Sequence, residues 1–89
     1  MEQDVLDFLN SKIREEHGSR VTMESKWSDA EVDSFGTTMV FLEMDEKYKK
    51  FSNDWFRSLT YEDWKNMTIR YIVERALDES IIVQSSSAE

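Results

Sequence analysis

Apolar residues return along this chain at intervals of three and four, the spacing that lines up one side of a helix. Val5, Leu6, Leu9 and Ile13 mark such a face over about residues 2 to 16, and His17-Gly18 reads as a C-terminal stop. A second helix runs from Ser34 to about Lys50. A short third one is suggested by "FSNDWFRSL", with Ser52 or Asn53 as cap before Trp55, Phe56 and Leu59. The fourth opens at Thr60, with Asp63 where a capping box usually has Glu or Gln. It keeps helical spacing through Trp64, Met67, Thr68, Tyr71 and Ile72 and ends near Asp78. No alternating stretch is long enough for a strand, proline is absent and there are only two glycines. The expected fold is all-α.

Between the first two helices, "GSRVTMESKWSDAEVD" has no sustained period and reads as a long connection, Gly18 to Asp33. Structureless loops beyond about 12 residues are uncommon in compact domains unless packed or functional. Val21 and Trp27 are therefore expected to anchor it, with Met23 the other apolar residue available. One domain is expected over residues 1–78, followed by a C-terminal extension, 79–89. In that extension Ile81, Ile82 and Val83 have no obvious place, and "QSSSAE" is too polar to fold by itself.

The second helix carries apolar residues on two sides. At about 100° per residue, Thr37, Val40, Phe41, Met44 and Tyr48 form one stripe, the expected core face. Phe35, Thr38, Met39 and Leu42 form another, pointing roughly the opposite way. That stripe either packs beneath the long loop and third helix or stays exposed as a docking surface.

Composition narrows the chemistry. The chain has 89 residues, one core's worth, and buries only about 60 to 65% of its unfolded surface. Nineteen acidic against eleven basic residues leave a net charge of −8, which disfavours nucleic acid and favours basic protein surfaces. Cysteine is absent, which removes disulfides, thiolate nucleophiles and cysteine-ligated zinc, and fits a reducing compartment. Neither a signal peptide nor a membrane span is legible, so a cytoplasmic location is expected. His17 is the single histidine, and nothing in the spacing of the acids selects a catalytic pair. No enzyme activity and no metal site is expected.

Ser34 reads in two ways. A serine at a helix start is commonly an N-cap. It is also a hydroxyl beside unpaired backbone N–H groups and the positive end of a helix dipole, a setting that suits a phosphodiester.

Asp33-Ser34, a large apolar Phe35 and then "GTTMVFLEMDEKY" resemble the attachment motif of acyl carrier proteins, in which Asp-Ser precedes a helix of about four turns that ends in an aromatic residue. The resemblance spans residues 1 to about 78, through the short third helix to the final helix with "IRYIVE". It implies a small four-helix bundle with a long loop between helices 1 and 2. It also implies that Ser34, with Asp33 beside it, carries 4'-phosphopantetheine from coenzyme A, attached by a phosphopantetheinyl transferase. The chain would then be a free-standing, monomeric phosphoprotein of fatty acid or related lipid biosynthesis, holding acyl groups as thioesters. Acyl-transferring and acyl-processing enzymes with basic docking patches would meet its second helix at Phe35, Thr38, Met39, Leu42, Glu43 and Glu46. From Asp29 to Glu46 there are six acids and no base, which suits such steering.

The chain departs from the pattern at Phe35, where Leu is usual, at Met39, where an acid is common, and in lacking a glycine shortly before Asp33. Lys47, Lys49 and Lys50 close the second helix, a departure that puts the standard set of partners in doubt and leaves a specialised set open. Trp55, Phe56 and Trp64 are bulky for such a carrier and are expected to fill the interior, leaving cargo on the surface. A different reading of the same acidity is a small interaction protein, a nucleic-acid mimic or inhibitor, that occupies a basic groove and makes no use of Ser34.

Overall fold

The computed structural model describes residues 1–80. Ile81, Ile82, Val83 and the polar tail lie outside the described residues. The fold is helical, with five α-helices and no strand among the described residues: α1 Glu2–Glu15, α2 Ser34–Tyr48, α3 Asn53–Ser58, α4 Tyr61–Asn66 and α5 Ile69–Leu77, with a 3-10 helix at Trp27–Ala30 in the long connection.

The first helix follows its period. Val5, Leu9 and Ile13 are at most 1% exposed and face α2 and α5, while Glu2 and Asp4 in the first turn and Lys12 and Arg14 in the last oppose the helix dipole. It stops at His17-Gly18 as expected, with the histidine rather than the glycine in the left-handed position. His17 takes the left-handed conformation, at φ 66°, and Gly18 follows it. The His17 N–H reaches the Arg14 carbonyl and the Gly18 N–H the Ile13 carbonyl, both at 2.9 Å, the paired bonds of a Schellman ending. Gly18 is needed for space instead: a Cβ there would lie 2.5 Å from Val32 Cγ2 and 2.6 Å from the Ala30 carbonyl oxygen.

The long connection is anchored as expected at Val21 and Trp27, which are buried. Asn10, on α1, adds a clamp that the apolar pattern does not reveal. Its amide donates to the Val21 carbonyl at 3.0 Å and accepts the Val21 N–H at 2.8 Å, so a buried side-chain amide satisfies a buried backbone unit.

The single helix expected from Thr60 to Asp78 is two helices. Thr60 and Asp63 form their reciprocal capping box at 2.9 and 3.1 Å, but the chain is extended at Met67 and restarts at Thr68, whose hydroxyl caps Tyr71 N–H at 3.1 Å. The break has a cause outside the helix. The Met67 carbonyl accepts from Trp27 N–H and the Ser25 carbonyl from Ile69 N–H, both at 2.8 Å. Backbone groups that a continuous helix would pair internally are given to the long connection.

Core packing divides by chemistry. Between α1, α2 and α5 it is aliphatic: Val5, Leu9, Ile13, Val40, Met44, Ile72 and Val73. On the other side of α2 it is aromatic and centred on Phe41, whose ring lies 5.1 Å from Trp27, 5.6 Å from Phe51, 5.8 Å from Trp55, 6.2 Å from Phe56 and 5.2 Å from Trp64. Several of these pairs are edge-to-face, the arrangement the ring quadrupole favours. Arg75 closes this side, its guanidinium 4.7 Å from the Trp55 ring centroid while Nε donates to the Lys50 carbonyl.

Candidate functional site at the start of α2

The N-cap of α2 is Asp33, which corrects the reading of Ser34 as the capping residue. Asp33 Oδ1 accepts Gly36 N–H at 2.7 Å and the Asp33 carbonyl accepts Thr37 N–H at 2.8 Å. A carboxylate outcompetes a hydroxyl here because it carries full negative charge at the positive end of the helix. Ser34 is therefore the first helical residue, and it is exposed. No hydrogen-bond partner among the described residues engages its hydroxyl, nor the N–H groups of Ser34 and Phe35; its carbonyl accepts from Thr38 Oγ1 at 3.0 Å. Among the described residues, a hydroxyl oxygen thus stands free beside two unpaired donors.

Gly36 sets the approach of this helix end. A Cβ there would come within 2.5 Å of Val32 Cγ1, 3.2 Å of Asp33 Oδ1 and 3.3 Å of Glu16 Cβ, so the bare backbone lets the α2 entrance settle against the end of α1.

Of the second stripe, Phe35 is 72% exposed and Leu42 59%, with Thr38 and Glu46 also exposed. Neither the connection nor α3 covers them. Met39 and Glu43 are half-buried at the edge facing α1, where Glu43 pairs with Lys12 at 3.8 Å, a partly exposed contact of small energetic weight. At the far end Lys47 leans back over the Phe8 ring, 5.2 Å from its centroid, so its charge is directed towards α1.

A feature the apolar pattern missed adjoins Ser34. A groove of about 390 Å³ runs from its side chain between the 3-10 helix, α2, α3 and α4, walled by Trp27, Val32, Phe56, Tyr61 and Trp64. Its parts come from residues 27 to 65, so no local window could disclose it.

The residues fit a phosphodiester-linked arm: an exposed hydroxyl with no structural task, free N–H donors next to it, and a cap that leaves the oxygen accessible. Among the described residues, no helix is long and apolar enough to cross a membrane, and no cluster of His, Asp or Glu could hold a metal ion. The sequence matches no protein-family model, and neither the curated proteins nor the solved structures contain a match to it.

Proposed function

We propose that the chain is a carrier protein of the acyl-carrier type, with Ser34 as its attachment point for 4'-phosphopantetheine. The observation that supports this most is the division of labour at the α2 entrance. Asp33 caps the helix, and the Ser34 hydroxyl next to it is exposed and unengaged. A serine retained only for helix stability would sit one position earlier and make the capping bond itself.

In the attachment reaction the Ser34 oxygen forms a bond to the phosphorus that bears the pantetheine in coenzyme A. The bond from that phosphorus to adenosine bisphosphate breaks, and the hydroxyl proton passes to the transferase. When bound, the arm supplies a terminal thiol that holds an acyl group as a thioester. The chain's own residues then do three things. Ser34 and Phe35 offer N–H groups to the phosphodiester oxygens, where the helix dipole favours negative charge. Asp33 keeps the helix start in register. Phe35, Thr38 and Leu42 present an apolar contact surface, with Glu46 and Asp33 steering it to enzymes that carry basic docking patches.

The order of elements supports the reading in part: a long first helix, a long loop, a second helix with an exposed outer face, a short helix and a final amphipathic helix, from which α4 departs as an additional helix before the last. A purely acidic interaction protein would use the net charge but gives no task to the free hydroxyl.

The test is incubation of the intact protein with coenzyme A and a broad-specificity phosphopantetheinyl transferase, followed by intact mass. One phosphopantetheine is expected on the wild type and none on Ser34→Ala. The absence of a mass gain with several transferases would overturn the reading.

A further inference from the structure

The groove beside Ser34 has a composition unlike the rest of the molecule. In a chain with nineteen acids, no carboxylate lines it; Lys65 is its one charged residue. Three of its walls are rings held in mutual contact, with Trp64 lying 6.3 Å from Trp27 and 5.3 Å from Phe56. A fourth, Tyr61, stands 78% exposed at the mouth with little to hold it. The Trp27 indole N–H is already committed to Thr37 Oγ1 at 3.1 Å and the residue is 5% exposed, so its ring offers an occupant a small patch of carbon.

Behind the groove there is no path inward. Phe41, 1% exposed, is ringed by Trp27, Phe51, Trp55, Phe56 and Trp64, and these occupy the space into which a long flexible chain would thread. Close-packed interiors do not open for a chain without losing those contacts. An occupant lies against the outer side of this cluster and gains from aromatic faces and edges.

Resting on the carrier reading of Ser34, we propose that the cargo is a ring-bearing acyl group, an aryl or arylalkanoyl thioester, and that it lies in this groove between Trp27, Trp64 and Tyr61 rather than inside the bundle. The groove starts at the attachment point, so the arm doubles back to bring its end there. Lys65 also lines the groove, and its positive charge would attract a phosphodiester or a thioester carbonyl placed there. A flat ring meets the walls in offset or edge-on contact, a quadrupole-directed geometry that an alkyl chain does not share.

The experiment uses a broad-specificity phosphopantetheinyl transferase to load the full chain, with its tryptophans labelled with nitrogen-15, from coenzyme A, phenylacetyl-coenzyme A or octanoyl-coenzyme A, and intact mass confirms each load. The chain has three tryptophans, so three indole signals report. The expected result is that the phenylacetyl form shifts the Trp27 and Trp64 indole signals well beyond the free-thiol form and leaves Trp55 in place, while the octanoyl form resembles the free thiol. Tyr61→Ala, an exposed change that spares the fold, should make the phenylacetyl thioester hydrolyse about two- to tenfold faster, the scale of one aromatic contact, with octanoyl hydrolysis unchanged. Equal or larger shifts with octanoyl, or full shifts with the free thiol alone, would overturn the cargo assignment while leaving the carrier reading intact. A failure to gain mass from any of the three coenzyme A forms would overturn both.

Discussion

The two flanks of α2 are built from different materials. Towards α1 and α5 the packing is aliphatic and closed: Leu9, Ile13, Met44, Ile72 and Val73 are 0% exposed. Towards α3 and α4 it is aromatic and partly open. Those helices are six residues each, neither contains a fully buried residue, and Trp55, Phe56, Leu59 and Trp64 are half-buried against the cluster. Short helices are not stable alone, so α3 and α4 depend on their rings and on the caps at Ser52 and Thr60. The tasks divide accordingly: the closed flank together with the enclosed Phe41 ring carries the stability of the fold, and the half-buried rings of α3 and α4 form a partly open lip beside Ser34.

That contrast can be broken by substitution. Phe41 belongs to the aromatic cluster yet is fully enclosed, so Phe41→Ala should be the most damaging single change, about 3–5 kcal/mol from lost burial and the cavity left behind. Urea unfolding followed by circular dichroism measures it, and a loss below about 1 kcal/mol would mean the ring cluster is not the structural centre. Ile72→Ala on the closed flank should cost about 2–4 kcal/mol by the same assay. Trp64→Ala, whose ring is already half in water, should cost about 1–2 kcal/mol, and amide exchange should quicken in α4 while α1 and α5 keep their protection. If α1 amides lose protection equally, the two flanks unfold as one unit and the contrast has no energetic content.

Two smaller effects sharpen it. Burial, with the Asp4 carboxylate adding to it, holds the Tyr48 phenol above its ordinary ionisation range, so folding favours the neutral phenol. That contribution is fully present below about pH 10 and declines as pH rises through the phenol's raised folded value, which is visible as a falling urea midpoint in alkaline buffer. The smallest change in stability is expected from Leu42→Asp, within about 0.5 kcal/mol because the side chain is mostly in water. Loading by a partner enzyme should nevertheless slow. Unfolding of this variant would mean that the outer stripe is core.

Much of the closed flank was legible in the sequence. The 3.6 period of Val5, Leu9 and Ile13, and of Thr37, Val40, Phe41 and Met44, follows directly from burial of one helix face. Val21 and Trp27 were legible as anchors because a long polar connection offers few apolar residues. Asn10 was not, since a polar residue on an apolar face declares itself only when its backbone partner is known. The break before Thr68 was hidden for a related reason: the spacing from Trp64 to Ile72 stays helical, and only the bonds from Ser25 and Trp27 end the helix. At the site, the position of Ser34 at a helix start was legible, but its hydroxyl's freedom was not. Asp33 and Ser34 are both good caps, and only the observed bond from Gly36 N–H to the Asp33 carboxylate decides between them.

The carrier reading stands or falls with one oxygen, the Ser34 hydroxyl, as the site of esterification. Fragmentation of the intact chain after reaction with coenzyme A and a transferase tests it most directly, because it assigns the added group to a residue. A single phosphopantetheine is expected on Ser34, lost in Ser34→Ala and retained in Ser52→Ala, since the Ser52 hydroxyl is bound as the cap of α3. Addition at any other serine, or an unmodified Ser34 in a folded protein, would contradict it.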